Sequence, residues 1–245
     1  MAQATANPTA AMLAIGDEIL SGRTRDSNIH HLAQQLTAVG IDLKEVRIVA
    51  DDPEAIVGSV NGLRAKYTYV FTSGGIGPTH DDITAENVAR AFGVPIDIRA
   101  DARAVLSNHY PNGEADLNPA RLRMARVPEG AILIENPVSG APGFSIGNVH
   151  VMAGVPKVFE AMVAGLLPRL ETGLAITSAS VRVERPESVV APALGELARE
   201  YPDLSIGSYP YYGSGGYGTN LVVRGTDPAR VAEAEAALIR AFRDV

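Results

Sequence analysis

The stretch Phe71-Thr-Ser-Gly-Gly-Ile-Gly-Pro-Thr-His-Asp-Asp-Ile-Thr84 joins an apolar strand to the next predicted helix through three glycines and a proline. Glycine permits tight turns and close approach of the backbone to a ligand, and proline stiffens the exit. Such a loop suits a phosphate-bearing ligand. Asp81 and Asp82, however, place carboxylates where a helix N-terminus would otherwise favour an anion. A bound metal ion or a proton-transfer role is consistent with both features.

Strand and helix patterns alternate on both sides of this glycine loop. Apolar or β-branched runs predict strands at 10–16, 41–49 and 67–72. Helical periodicity and capping residues predict helices at 26–40, from 52 onward, and at 82–92. This alternation predicts an α/β fold with a doubly wound, mostly parallel sheet.

The remainder of the chain is predicted to contain an insertion and a second domain. Residues 95–128 break the pattern with short helical pieces and are interpreted as an insertion or lid. A strand at 131–136, a hairpin turning at Gly147-Asn148 and a helix at 156–170 follow. The order β-α-β-β-α then predicts a small α+β domain. The predicted domains are a loose tail at 1–9, a ligand-binding domain at 10–172 and the small domain at 173–245.

Composition restricts the classes of partner. A chain of 245 residues that is 46% hydrophobic can fill a real core. Its formal charge of -7 argues against binding of nucleic acid or an anionic membrane, so a small molecule with a metal ion is favoured. The absence of cysteine excludes thiolate sites. With neither a signal peptide nor a long apolar run, the sequence predicts a cytoplasmic protein, and homo-oligomerisation is expected on frequency alone.

Four carboxylates are predicted to surround one cleft. The first strand ends in Gly16-Asp17-Glu18, and in an open parallel sheet ligands bind beyond the carboxyl ends of the strands. Asp17 and Glu18 would then face Asp81 and Asp82, and such an oxygen shell suits magnesium. An equally weighted interpretation is that these acids only stabilise helix N-termini. Asn28 is expected to cap its helix, with ligand binding as the alternative.

Four segments together carry a family resemblance: residues 15–28 (IGDEILSGRTRDSN), 71–84 (FTSGGIGPTHDDIT), 136–144 (NPVSGAPGF) and 152–162 (MAGVPKVFEAM). In this order they resemble the molybdopterin-binding MoaB/Mog family, and most closely the N-terminal domain of CinA-type proteins. The resemblance covers about residues 10 to 170, and the second domain resembles the KH-like module of CinA. The sequence ends before the amidase domain of full-length CinA proteins, so amidase activity is not expected.

The resemblance implies a ligand cleft with a defined set of residues. The implied binding residues are Gly16, Thr72, Ser73, Gly74, Gly75, Gly77, Pro78, Thr79, Ser139, Gly140, Gly154 and Pro156. Asn28 is counted with them on the ligand-binding alternative given above. In the MoaB/Mog branch this cleft binds molybdopterin, which some members adenylylate or load with molybdate. In the CinA branch the domain is associated with metal-dependent hydrolysis of ADP-ribose, and the Gly-Pro-Thr-His-Asp-Asp sequence is closer to that form. Met152-Ala153 departs from the usual Leu-Pro, and His80 replaces a common lysine or arginine.

These observations favour a metal-dependent hydrolase of a nucleoside diphosphate derivative such as ADP-ribose. The predicted catalytic and metal-binding residues are Asp17, Glu18, Asp81 and Asp82, with magnesium as the expected cofactor. The first alternative is a molybdopterin-binding nucleotidyltransferase or carrier. The second is a binding module without catalysis, which fold-level analogy never excludes.

Three further patterns are predicted to carry no chemistry. Residues 143–147 match Gly-x-Ser-x-Gly, but a hairpin follows where that motif requires a helix. The five histidines are scattered and are predicted to lie at the surface. Gly-x-x-Gly occurs at 213–216 and 215–218, yet residues 205–223 contain no lysine or arginine to meet nucleic-acid phosphates. The tyrosines of that region suit an interface.

Overall fold

The computed structural model describes residues 7–213 and 216–242. The chain divides into two compact units, Met1–Gly173 and Leu174–Val245. Most of the predicted tail, and residues 214 and 215 of the two Gly-x-x-Gly patterns, lie outside the described residues. Within the described part of the chain, no helix combines the length and the apolar character needed to cross a membrane.

The first unit alternates strands and helices as the sequence predicts. Its elements are β1 (Thr9–Ile15), α1 (Asp17–Leu20), α2 (Asn28–Ala38), β2 (Asp42–Val49), α3 (Pro53–Arg64), β3 (Tyr69–Ser73), α4 (Thr84–Phe92), β4 (Ile96–Ile98), α5 (Ala100–Ser107), α6 (Pro119–Arg123), β5 (Arg126–Pro128), β6 (Ile132–Ile134), β7 (Gly143–Ile146), β8 (Val149–Met152) and α7 (Pro156–Leu166). Short 3-10 turns cover Gly113–Asp116 and Leu167–Arg169.

The central sheet has the strand order β2-β1-β3-β8-β7-β6. Strands β2, β1, β3 and β8 pair in parallel, whereas β7 pairs antiparallel with both β8 and β6. The predicted α/β fold with a mostly parallel sheet is therefore confirmed. The parallel strands bring the ends of β1, β2, β3 and β8 to one edge of the sheet, which is where ligands bind in open sheets of this kind.

Two apolar cores cover the two faces of this sheet. Because successive strand residues point to opposite faces, Leu13 and Ile15 pack with residues of α3 and α4, while Met12 packs with residues of α2 and α7. All residues from Ala10 to Ile15 are buried, as expected of a central parallel strand covered on both sides. The loops at the carboxyl edge are thus anchored to rigid elements.

The interruption at 95–128 contains short helices, as predicted, together with a ribbon that the sequence analysis missed. Strands β4 and β5 pair antiparallel from Ile96–Pro128 to Ile98–Arg126 and close the interruption at its base. Each strand has three residues, which is too short to produce a recognisable period. The Glu129 amide donates to the Pro95 carbonyl at 2.9 Å, so the segment ends next to where it begins. Arg123 of α6 donates to the Asp82 carbonyl, which places α6 beside the glycine loop.

The second unit has the order β9 (Thr177–Val183), α8 (Glu187–Glu200), β10 (Ser205–Gly213), β11 (Gly216–Gly225) and α9 (Pro228–Phe242). Strand β11 lies between β10 and β9, and both pairings are antiparallel. Its core is formed by residues such as Val190, Leu221 and Leu238. The β-α-β-β-α order predicted from the sequence is present.

Two local predictions were wrong. The helix predicted from Asp82 begins at Thr84, because Asp82 uses its carboxylate to close the preceding turn on Thr79. His150 is not at the surface: it is 5% exposed in β8, and its Nδ1 lies 2.8 Å from the Ser145 hydroxyl. Strand position therefore decided its burial. Ser145 lies within β7, in the predicted hairpin, and not on a strand-to-helix elbow.

Candidate functional site

A cleft of about 490 Å³ lies at the carboxyl edge of the sheet in the first unit. This volume falls within the usual range for small-molecule sites. Its walls come from the ends of β1, β2, β3 and β8, from α6 and from the β6–β7 loop. The lining residues are Ile15, Gly16, Glu18, Thr24, Asp51, Gly74, Gly75, Ile76, Gly77, Pro78, Asp81, Asp82, Met124, Asn136, Ser139, Ala141, Ala153, Gly154, Val155, Pro156 and Val158.

Most of the predicted site residues line this cleft, although they are separated by up to 140 positions in the sequence. They are Gly16, Glu18, Gly74, Gly75, Gly77, Pro78, Asp81, Asp82, Ser139, Gly154 and Pro156. The edge of the parallel sheet brings them together, as the position of each segment after a strand predicted.

The remaining predicted residues lie around the cleft and not on its surface. Thr72 is fully buried in β3. Thr79 binds Asp82 in the exposed part of the loop. Gly140 packs so tightly on His109 that a side chain would collide with it. The Asp17 amide donates to the Asp51 carboxylate. Asn28 and Ser73, which are discussed below, line a smaller cavity beside the cleft.

The glycine loop needs glycine for steric reasons. Gly74 has φ of 106°, and a β-carbon there would collide with the Ile15 carbonyl. Gly75 has φ of 68°, and a β-carbon would collide with the Thr84 hydroxyl. Among the described residues, the amides of Gly75, Ile76 and Gly77 donate to no other backbone group. The loop therefore offers backbone N–H donors at the cleft, which suits an anionic ligand.

Asp82 holds the glycine loop in shape. Its Oδ2 accepts hydrogen bonds from the Thr79 amide at 2.7 Å and the Thr79 hydroxyl at 2.5 Å. Its backbone carbonyl accepts a hydrogen bond from Arg123 Nη2 at 3.1 Å, which joins the loop to α6. One carboxylate oxygen is thus occupied by the protein itself, so the geometry gives Asp82 a structural role in addition to its position on the cleft.

Asp51 is an acidic cleft residue that the sequence analysis missed. It follows β2, and its Oδ2 accepts the amide of Asp17 at 3.0 Å. Burial raises the pKa of Asp51; the Asp17 hydrogen bond opposes this rise, and the negative charges of Asp17, Glu18 and Asp81 add to it. Asp51 follows a strand of the parallel sheet, so it fits the rule that ligands bind beyond the carboxyl ends of such strands. The sequence analysis used only the next two residues, Asp52-Pro53, as the start of a helix.

The cleft has an acidic rim, and none of the described residues that line it is basic. Glu18, Asp51, Asp81 and Asp82 are its charged lining residues, all of them acids. Across residues 7–213 and 216–242, no three His, Cys, Asp or Glu side chains are arranged to hold a metal ion together. The mutual repulsion around Asp51 is nevertheless the electrostatic environment that a cation would relieve.

Asn28 joins three elements below the cleft and does not cap its own helix. Its Nδ2 donates to the Ser73 hydroxyl and to the Gly154 carbonyl, both at 2.8 Å. These bonds fasten the start of α2 to the ends of β3 and β8. The capping carboxylate is that of Asp26, which accepts the Ile29 amide at 2.8 Å. The expected capping role of Asn28 was therefore wrong.

Asn136 organises the opposite wall and was also missed. Its Oδ1 accepts the amides of Val138 and Ser139, each at 3.1 Å. Its Nδ2 donates to the Ser139 hydroxyl at 2.6 Å and to the Ala141 carbonyl at 2.8 Å. All of these partners lie within five residues, so the signal was local: asparagine followed by proline in a short polar turn. The loop that carries Ser139 is fixed by this one side chain.

The cleft also has apolar lining residues. They are Ile15, Ile76, Met124, Val155 and Val158. Val155 and Val158 flank the start of α7, and Met124 comes from the end of α6. A flat ring can pack against such side chains while polar parts of the same ligand meet the glycine loop.

Comparison with known proteins identifies the family. The family model described as "Probable molybdopterin binding domain" matches residues 11–172, and the model described as "FAD synthase, middle domain" matches residues 175–245. The chain therefore belongs to the molybdopterin-binding domain family, as the motifs predicted. This assignment covers every lining residue of the cleft and all of the sheet except the first two residues of β1.

Individual relatives agree with this family. A protein of Archaeoglobus fulgidus is 35% identical over 199 residues, which cover 81% of this chain and 84% of that protein. A CinA-like protein of Desulfosudis oleivorans is 34% identical over 209 residues, covering 81% of this chain and 51% of that protein. The crystal structure of "the protein CinA with unknown function" from Thermoplasma acidophilum is 36% identical, with a TM-score of 0.62 over 67% of this chain and 99% of that one. The predicted likeness to CinA is confirmed.

Proposed function

We propose that the cleft hydrolyses the pyrophosphate bond of a nucleoside diphosphate derivative, with ADP-ribose as the first substrate to test, in the presence of a divalent cation. The observation that carries the proposal is the pairing of a glycine loop with a rim on which every charged lining residue is an acid. A polyanion approaching four carboxylates is repelled unless a cation lies between them. A neutral ligand would not require that cation.

The glycine loop would bind the diphosphate through its backbone. The amides of Gly75, Ile76 and Gly77 donate to no backbone group of the described residues. The crowding around Gly74 and Gly75 requires glycine at both positions, so neither carries a side chain that could shield these amides from a ligand. Asp82 would position this loop through Thr79 while it contributes charge to the rim. The ligand would thus be oriented by groups that are already fixed before it binds.

One or two of the cleft carboxylates of Glu18, Asp51 and Asp81 would hold the divalent cation together with the substrate phosphates, with magnesium the first candidate. Magnesium is commonly held by one or two carboxylates together with substrate phosphates, so a preassembled protein cage is not required. When bound, the cation supplies Lewis-acid stabilisation of charge that develops on the phosphoryl oxygens. The same carboxylates provide acceptors for the proton of an attacking water. Asp17, which the sequence also nominated, would support Asp51 through its amide.

The test is product analysis with ADP-ribose and magnesium. Wild-type protein is expected to release AMP and ribose 5-phosphate, and Glu18→Gln or Asp51→Asn should reduce the rate at least 100-fold, within the range that loss of one such group produces. Glu129→Gln, an exposed acid outside the cleft, is the matched control and should retain full activity. Absence of turnover with magnesium, manganese and calcium, or undiminished turnover by both cleft variants, would refute the proposal.

A second candidate, binding of a pterin, is favoured by the apolar lining residues of the cleft. Ile76, Met124 and Val155 can pack against a planar ring, and the family model is that of a probable molybdopterin-binding domain. Oxidation of the freshly purified protein followed by fluorescence detection of released pterin tests this candidate. Retention of a pterin without ADP-ribose turnover would favour a carrier or nucleotidyltransferase.

A further inference from the structure

The glycine loop borders a further small cavity of about 10 Å³, hereafter the arginine cavity. Gly75, Ile76 and Gly77 line both this cavity and the cleft. Arg123 and Arg126 line the arginine cavity and are absent from the cleft lining. The backbone that would bind the diphosphate is therefore exposed to the cleft and, at the same time, lies next to two basic side chains.

A cluster of three charged side chains fixes these arginines. Arg126 Nη1 pairs with Glu86 Oε1, and Arg123 Nη2 lies 3.8 Å from the same carboxylate oxygen. Arg123 Nη2 also donates a hydrogen bond to the Asp82 carbonyl at 3.1 Å. The cluster thereby joins α4, which carries Glu86, to the end of α6, to β5 and to the end of the glycine loop. Arg123 is the member that connects the cluster to the loop backbone.

The cluster and the cleft differ in the sign of their charge. Two guanidinium groups and one carboxylate give the cluster a net charge of one positive unit, whereas all charged lining residues of the cleft are acids. Each side chain of the cluster is 28–32% exposed, so solvent and salt screen these charges less than those of a fully exposed pair. A positive charge at this position favours an anion at the loop amides and offsets part of the repulsion from the rim.

Resting on the proposed function, we infer that Arg123 is a positioning residue that sets the affinity of the glycine loop for the diphosphate. Its hydrogen bond to the Asp82 carbonyl would hold the loop in place, and its charge would attract the ligand from behind the loop backbone. Glu86 would hold Arg123, and Arg126 would hold Glu86. Arg123 would contact neither the substrate nor the cation. Since the loop would hold the diphosphate equally before and during the reaction, Arg123 would act on binding and not on the chemical step.

The test measures binding and turnover in Arg123→Gln and Arg123→Lys. Glutamine removes the charge and shortens the side chain, whereas lysine keeps the charge and an N–H donor. The methylene-bridged analogue of ADP-ribose is not hydrolysed at the diphosphate, so its dissociation constant can be measured by titration calorimetry with magnesium. Arg123→Gln should weaken binding of the analogue about tenfold and raise KM for ADP-ribose by the same factor, while kcat stays within threefold. Arg123→Lys should stay within about threefold of wild type in both constants.

Arg90 is the matched control. It lies on α4 like Glu86, but it is exposed, pairs with Glu54 at the surface and lines neither cavity. Arg90→Gln changes the net charge by the same amount and should alter neither the dissociation constant nor KM. If Arg123→Gln fails to fold, Arg123→Met, which is also uncharged and is closer to arginine in length, replaces it with the same expected loss.

The outcomes separate this inference from the proposed function. Affinity within twofold of wild type in the uncharged variant, or an equal loss in Arg90→Gln, overturns the role of Arg123 even if ADP-ribose is hydrolysed. A loss in Arg123→Lys as large as that in Arg123→Gln, or a fall in kcat at unchanged KM, also overturns it. Selective weakening of the analogue without turnover of ADP-ribose by wild-type protein supports the role of Arg123 and refutes the hydrolase. Failure of wild-type protein to bind the analogue overturns both.

Discussion

Gly74 in the glycine loop and Gly216 at the start of β11 have almost the same φ angle but very different surroundings. Their φ angles are 106° and 100°, both in the region that favours glycine. A β-carbon on Gly74 would collide with the Ile15 carbonyl, whereas none of the described atoms lies within 4 Å of a β-carbon on Gly216. The first glycine permits a close approach of two chain segments, and the second only adopts a φ angle that other residues avoid.

This difference shows that glycine content by itself does not indicate a site. Both regions are glycine-rich in sequence. In the first unit the glycines let β1, β3 and β8 end so close together that Gly154 approaches Gly74, and a cleft opens above them. In the second unit a β-carbon on Gly216 would meet no described atom, whereas one on Gly218, within β11, would collide with the Val183 carbonyl of the neighbouring strand. The contacts of the missing β-carbon therefore show where two segments approach closely, and only at the carboxyl edge of the parallel sheet does such an approach border the cleft.

The largest expected effect comes from Gly74→Ala. Strain at positive φ and the collision with the Ile15 carbonyl together should lower the free energy of unfolding of the first unit by about 3–5 kcal/mol. Gly216→Ala bears only the conformational strain, so its cost to the second unit should be about 1–2 kcal/mol. Urea unfolding of both variants measures the two costs.

Because the two units are compact by themselves, the unfolding curves are to be fitted with one transition for each unit. Equal costs at the two positions would show that the collision is relieved by movement of the loop. In that case the glycine loop is not the rigid support that the proposed function requires.

The fold was largely predictable because each long element has its own local signal. Asp52 followed by Pro53 predicted the start of α3, where the Asp52 carboxylate accepts the Ala55 amide. Gly93 predicted the end of α4 and has the left-handed conformation expected after a helix. The ribbon of β4 and β5 was missed because its pairing joins residues about 30 positions apart through short strands. Such contacts leave no period in the sequence.

The second-largest expected effect is a pH dependence of the free energy of unfolding, confined to the first unit. Burial lowers the pKa of His150 to about 4, whereas an unfolded histidine titrates near 6.5. Since the unfolded chain binds the proton more readily, the contribution of neutral His150 is fully present above pH 6.5 and is lost as the pH falls toward 4. The first unit should lose about 3 kcal/mol across this interval. Calorimetry at pH 7, 6, 5 and 4 measures the change.

A matched pair of variants sharpens this test and the comparison of the two units. His150→Leu should flatten the pH dependence, while His30→Leu, an exposed change on α2, should leave it unaltered. All five histidines belong to the first unit, so the transition of the second unit should not acquire this step. A parallel loss in both units would assign the effect to other groups.

The positions of many site residues could be predicted from the sequence, but their hydrogen-bond partners could not. Gly16, Asp81 and Gly154 could be placed together because each follows a strand of a parallel sheet. Asp51 also follows a strand but was overlooked beside the Asp52-Pro53 helix start, and the unpartnered acceptor of Asn28 became apparent only from three-dimensional contacts. Aspartate and asparagine also occur as helix caps at other ends of strands and helices. The sequence therefore gives their positions but not their hydrogen-bond partners.

The smallest expected effect comes from Asp82→Ala, compared with Asp203→Ala in the second unit. Asp82 is half-buried and makes two short bonds to Thr79, so its loss should lower the free energy of unfolding by about 1–2 kcal/mol. Asp203 is exposed and pairs with Arg230 on the surface, where solvent weakens the interaction, so its loss should have a smaller effect. Urea unfolding at low and high salt distinguishes them: only the Asp203 effect should decline with salt. If the Asp82 effect also declined with salt, its carboxylate would act through charge at the rim, and not by fixing the glycine loop.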